Sequence, residues 1–148
     1  MTYNSGVGST RQSGVEGSLM RFFGSSCIFC VPDIGRTTAY YRDVLGFSAV
    51  EYLQCAEPHI CLYRDGVEIL LLQSTTSRVM PNRELYGYGY DAYLYVDEQE
   101  RLLAELSSRG AHIVRPLAVT DYRNREFVVE DIDGRWLAFG LKEPTTAR

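Results

Sequence analysis

The sequence predicts an α+β fold made of two βαβββ modules in tandem. Three observations carry this expectation. Two Asp-to-Gly frames, Asp33 to Gly46 and Asp97 to Gly110, have the same separation, and each encloses a helix-like stretch. Each frame is followed by extended sequence ending in a hairpin, with Asp65-Gly66 as one turn and Asp131-Ile132-Asp133-Gly134 as the other. Caps, stops and hairpins then recur in the same order in both halves, which marks an internal repeat. With 148 residues, 45% of them hydrophobic and 23% charged, the chain can bury one core and reads as one domain.

The elements follow in chain order. Residues 1–19 are rich in Gly and Ser without an apolar period, and are expected to form a flexible tail ahead of the domain at 20–143. The first module spans 20–75. Its opening strand is the apolar run Cys27-Ile28-Phe29-Cys30-Val31. Asp33 caps a helix over Ile34–Leu45, whose inner face is Ile34, Tyr41, Val44 and Leu45, and Gly46 supplies the left-handed stop. Strands at His59–Arg64 and Val67–Gln73 flank Asp65-Gly66. A linker at 76–90 contains Glu84-Leu85-Tyr86-Gly87-Tyr88-Gly89-Tyr90, with alternating Tyr and Gly, read either as an aromatic lid or as a strand or loop at an interface. In the second module, 91–143, Asp97 with Glu100 matches a capping box for a helix over Glu98–Arg109, buried through Leu102, Leu103 and Leu106. Its hairpin pairs Glu126–Glu130 with Arg135–Leu141, and 144–148 form a tail.

Charge and composition exclude several classes. A net charge of −4 disfavours nucleic acid and anionic membrane as partners. No apolar run reaches membrane-span length and no secretory leader opens the chain, so a cytoplasmic protein with reduced cysteines is expected. Cys27 and Cys30 form a lone Cys-x-x-Cys pair, but three residues apart on a strand they point to opposite faces. These two are read as small buried hydrophobes rather than metal ligands, and no second Cys or His pair, with Cys55 and Cys61 included, has ligand spacing. His59 reads as structural and His112 as a surface residue. No phosphate loop or nucleophile elbow is present in the sequence.

Two stretches resemble the vicinal-oxygen-chelate superfamily, the glyoxalase, bleomycin-resistance and extradiol-dioxygenase group. Val31-Pro32-Asp33 with Tyr40-Tyr41-Arg42-Asp43-Val44-Leu45-Gly46-Phe47 is similar to its opening motif. Glu130-Asp131-Ile132-Asp133-Gly134-Arg135-Trp136-Leu137 is similar to its closing hairpin, with Ile132 in place of Pro. Shorter stretches, Arg64–Glu68, Val79–Asn82 and Arg125–Phe127, resemble the bleomycin-resistance proteins. The resemblance implies that the inner strands of both modules curl into a mixed-sheet cup. It also implies four metal-ligand positions, which here fall on Ser26, Leu70, Asp91 and Ala138. A divalent site needs three or four His or carboxylate ligands, and this set offers one, so no metal and no other cofactor is expected.

Period-two alternation then sorts each strand. Ser26, Ile28 and Cys30 share a face, as do Glu68, Leu70 and Leu72, then Asp91, Tyr93 and Tyr95, and finally Trp136 and Ala138. The opposite parity, Val67, Ile69, Leu71, Ala92, Leu94, Val96, Leu137, Phe139 and Leu141, is apolar throughout and suits packing against helices. The expected ligand-binding set is therefore Ser26, Cys30, Glu68, Leu70, Asp91, Tyr93, Tyr95, Trp136 and Ala138, with no catalytic residue. Its rings suit a flat aromatic ligand, and Asp91 and Glu68 suit a cationic group. The leading expectation is a metal-free binding protein that sequesters an aromatic or cationic drug or metabolite, as in antibiotic resistance, and that works as a homodimer. The rivals are an enzyme of the same superfamily using Asp91 or Glu68 as general base, and a dimeric regulatory module without a specific ligand.

Overall fold

A computed structural model describes residues 19–145. The tail expected at 1–19 lies outside the described residues apart from Leu19, and so do residues 146–148 of the C-terminal tail. The chain runs β1 (Ser26–Val31), α1 (Ile34–Asp43), β2 (Ser48–Tyr52), β3 (His59–Arg64), β4 (Val67–Gln73), α2 (Asn82–Tyr86), β5 (Ala92–Tyr95), α3 (Gln99–Ser108), β6 (His112–Val119), β7 (Asn124–Glu130) and β8 (Trp136–Lys142). The strands form two four-stranded mixed sheets, ordered β1-β4-β3-β2 and β5-β8-β7-β6. Within each, the first strand pairs parallel with the last and the other pairs are antiparallel. This is the α+β arrangement of two βαβββ units, and no barrel closes. No helix among the described residues is long and apolar enough to cross a membrane.

Local chemistry explains the frames. Asp33 caps α1, its Oδ1 accepting from the Arg36 backbone N–H at 3.0 Å. Gly46 and Gly110 both take positive φ, +76° and +85°, where a side chain would be strained. Asp97 differs from expectation. It sits one residue ahead of the cap, its Oδ1 takes the Glu98 N–H, and no capping box forms at α3. Gln99 turns inward and donates to the Val96 carbonyl at 2.7 Å. The linker is also not a strand: α2 stops at Gly87, with φ +88°.

Sheet parity holds for the residues read this way except Leu141, which is 41% exposed near the end of β8. Ile69, Leu71, Ala92, Leu94, Leu137 and Phe139 are buried in one core cluster with Tyr41 of α1, Leu45 just beyond it and Leu106 of α3. Each hairpin turn also reaches the other module's helix. Arg64 makes a two-pronged ion pair with Glu105 of α3, at 2.8 and 3.0 Å. In the other direction, Asp131 takes the Tyr41 hydroxyl at 2.7 Å and Asp133 takes the Thr37 hydroxyl at 2.5 Å, both from α1. These reciprocal clasps fix the two sheets relative to each other. The cysteine reading is corrected in part: Cys27 is half-buried, but Cys30 is exposed.

Candidate functional site

The sheet faces turned away from the helices hold the candidate set. On the first sheet, the Ser26 hydroxyl donates to Glu68, which lies directly across the β1–β4 pair. Hydrogen bonds from Ser26 and Tyr63 hold the Glu68 carboxyl below its usual range. Ile28 lies 62% exposed on this face, and Val50 and Tyr52 are exposed as well. Leu70 and Leu72 are half-buried between them. The result is an open apolar wall with one polar end.

The second sheet carries the denser chemistry. Tyr93 and Tyr95 follow each other on β5 with ring centroids 5.2 Å apart, and Tyr90 sits 6.3 Å from Tyr93. Beside them the Trp136 indole lies under two guanidinium groups, Arg83 at 4.5 Å and Arg115 at 5.1 Å. Arg83 is fixed from behind, donating to the Gly134 carbonyl at 2.6 Å and to Glu130 at 2.8 Å. Glu126, only 4% exposed, accepts from the hydroxyls of Tyr90 at 2.6 Å and Tyr122 at 2.5 Å, while its Oε2 has no partner. Asn124 donates to the Tyr93 hydroxyl at 2.9 Å. Burial first, and the Glu126 carboxylate second, push the Tyr93 and Tyr122 hydroxyls above the ordinary phenol range, so both remain donors.

Gly140 makes this crowding possible. It lies directly opposite Glu126 on the β7–β8 pair. A Cβ there would stand 2.5 Å from the Tyr93 hydroxyl, 2.6 Å from Glu126 Cβ and 2.7 Å from the Arg125 carbonyl.

The structure thus brings Tyr93, Tyr95 and Trp136 together on one sheet and Ser26, Cys30, Glu68 and Leu70 on the other. Two expected residues are corrected. Ala138 is fully buried, flooring the sheet between Tyr93 and Val128, and offers no surface to a ligand. Asp91 spends both oxygens on the backbone, Oδ1 on the Asn82 N–H at 2.9 Å and Oδ2 on the Trp136 N–H at 2.8 Å. It fastens the linker to β8 rather than meeting a cation. Sequence reasoning missed Arg83, Arg115, Tyr122 and Glu126. The one available signal was Glu126, a carboxylate of cup parity next to the apolar run Phe127-Val128-Val129. Among the described residues, no three His, Cys, Asp or Glu side chains come together as a possible metal site.

A cleft of about 680 Å³ opens along the seam between the modules, within the usual range for small-molecule sites. Arg64–Val67 of the first hairpin form one wall, and Tyr93–Glu98 with Arg101 and Glu105 form the other. Of the expected set, only Tyr93 and Tyr95 line it. The seam and the aromatic wall therefore share these two rings.

Comparison with known proteins adds the following. The family described as "Glyoxalase/Bleomycin resistance protein/Dioxygenase superfamily" matches residues 25–139. No curated protein matches the sequence. Among solved structures, a member of that superfamily from Sphaerobacter thermophilus is similar, with a TM-score of 0.65 at 19% identity over 84% of this chain and 100% of its own. TnmS3, described as an antibiotic binding protein from Streptomyces sp. CB03234, gives a TM-score of 0.60 at 16% identity, covering 84% of this chain and 100% of its own. A glyoxalase-related enzyme from Clostridium phytofermentans gives a TM-score of 0.64 at 14% identity, covering 86% and 99%. At these identities the likeness is one of fold.

Proposed function

The chain belongs to the glyoxalase, bleomycin resistance protein and dioxygenase superfamily, and from that premise we propose that it binds and sequesters a planar aromatic small molecule without transforming it. The observation that carries this reading is the wall of Tyr93, Tyr95 and Trp136, in which the polar edges of Tyr93 and Trp136 are already tied to Asn124 and Glu130. Rings held this way offer apolar area with little side-chain entropy left to lose on binding. Of the two expected bases, Asp91 is occupied by backbone N–H groups. Glu68 is held below its usual range and is a weak base near neutral pH. The antibiotic-binding description of TnmS3 belongs to that protein, and supports the reading only as precedent for the fold.

The same proposal includes a homodimer. The open wall of Ile28, Val50 and Tyr52 leaves contiguous apolar surface that a second copy would cover. Sedimentation at micromolar concentration then gives twice the chain mass, and a strictly monomeric mass contradicts this part. The binding reading is tested by thermal shift against a panel of planar aromatics. A ligand present at about a hundred times its Kd adds roughly 2.7 kcal/mol of stability. A panel in which nothing raises the melting temperature contradicts it.

One observation favours a second reading, a metal-independent enzyme. Glu126 is a buried carboxylate with an unpartnered oxygen, the kind of group that serves as a general base. Under that reading a bound aromatic is recovered chemically altered, and Glu126→Gln abolishes the change.

A further inference from the structure

We infer that Arg115 is the anion-recognising arm of the aromatic wall, so the molecule bound there carries an acidic group, such as a carboxylate, sulfonate or phosphate, beside its planar rings. The inference rests on the aromatic-binding reading above and names the class of ligand.

In an unbroken antiparallel ladder β6 would alternate regularly against β7. Ile113 pairs with Val129, whose side chain is in the helix-facing core, so Arg115 would share that buried side. Instead the register shifts between Ile113 and Arg115, and again between Arg115 and Ala118. The first shift sets Arg115 opposite Val128, which pairs with Ala138, a residue of ligand-face parity. β-bulges of this kind re-aim a side chain, and two of them bracket this arginine.

The head group is then held in place without being neutralised. Nη1 donates to the Tyr90 hydroxyl at 3.0 Å, and the guanidinium lies over the Tyr90 ring at 5.6 Å and the Trp136 ring at 5.1 Å. Among the described residues no carboxylate comes within ion-pair distance of it. Arg83, on the same indole, is paired with Glu130. Glu126 communicates with Arg115 only through the Tyr90 hydroxyl, which accepts from the arginine and donates to the carboxylate. A guanidinium has five N–H donors, so Arg115 retains several, oriented by two rings and exposed on the ligand side. An acidic group attached to a stacked ring system satisfies them. A purely cationic ligand would meet like charge there.

The test uses two fluorescent dyes that share a ring skeleton, anilinonaphthalene sulfonate and the neutral phenylnaphthylamine. Dye fluorescence reports binding, and a saturable shift of the indole N–H resonance of Trp136, the single tryptophan of the chain, places it at this wall. We expect saturable binding of both dyes, with the sulfonate tighter by about tenfold, the usual worth of a charged hydrogen bond. Arg115→Gln removes that preference by weakening the sulfonate far more than the neutral dye, and an unchanged circular dichroism spectrum shows that the variant is folded. Equal affinities in the native protein, or a loss in Arg115→Gln shared by both dyes, overturn the inference and leave the aromatic-binding reading standing. Failure of the sulfonate alone to saturate overturns the inference, and failure of both dyes overturns the aromatic-binding reading with it.

Discussion

Replacing Asp131 with Asn should remove a defined part of the protein's pH dependence. Asp131 opens the β7–β8 turn, and its Oδ1 accepts from the backbone N–H groups of Asp133 and Arg135, both at 2.9 Å. Its Oδ2 takes the hydroxyl of Tyr41, a fully buried side chain of α1. Burial is the dominant influence on the carboxyl and raises its pKa from 3.8 to about 6, against the lowering effect of those hydrogen bonds. The folded protein thus holds a proton that the unfolded chain has released between about pH 4 and pH 6. A raised carboxyl pKa therefore costs stability above that window, and the cost disappears as pH falls through it. At about 1.4 kcal/mol per unit, the shift is worth roughly 3 kcal/mol in full, of which about 1 kcal/mol returns between pH 7 and pH 5. Urea unfolding of native protein and Asp131→Asn at those two pH values isolates this share, because every other side chain is common to both. Glu68 and Glu105, whose pKa values are lowered, act below the usual carboxylate range and outside the window. The native protein should gain about 1 kcal/mol more than the variant on acidification. Equal gains would mean that Asp131 is ionised in the fold at no cost, and the junction would need another explanation.

Three further outcomes follow from the same contacts. Gly140→Ala should destabilise the protein by roughly 1–3 kcal/mol in urea unfolding, because its Cβ meets two groups of fixed position, the Arg125 carbonyl and Glu126 Cβ. Gly46→Val should cost more than Gly110→Val, each about 1 kcal/mol or more. Both positions need positive φ, but only at Gly46 would a Cβ strike the Arg64 guanidinium, at 2.6 Å, and disturb its pair with Glu105. Elemental analysis of purified protein should find no stoichiometric divalent metal, and chelators should leave the melting temperature unchanged. One zinc, nickel, iron or manganese ion per chain would contradict the metal-free reading.

What the sequence disclosed and what it withheld have physical causes. The strands either side of Asp65-Gly66 were legible to the residue, because a two-residue turn leaves the register no freedom. Parity was legible on β4, β5 and β8, since each has one apolar face that must be buried. Asp97 misled because a capping box is a pattern of residue types, and the helix started one residue later than the pattern implied. Asp91 misled in another way. Its position on the cup side was inferred from the resemblance, but its chemistry was set by Asn82, a residue of the linker that no strand periodicity connects to it. Arg115 was hidden because bulges reset alternation without a distinctive residue signature. Arg83 lay in the linker, just ahead of the segment read as lid or interface, so its seat on Trp136 had no local sign.

The most direct test of the central claim is to map where an aromatic molecule lands. The chain has one tryptophan, so its indole N–H gives one resonance, and the wall contains it. Titrating phenylnaphthylamine into isotope-labelled protein should shift the signals of Trp136, Tyr93 and Tyr95 saturably, with one dissociation constant, and leave the helix-facing Leu94 and Leu137 largely unmoved. Shifts confined to Arg64, Glu98 and Arg101 at the far side of the seam, or shifts that never saturate, would contradict the assignment of this wall as the binding site.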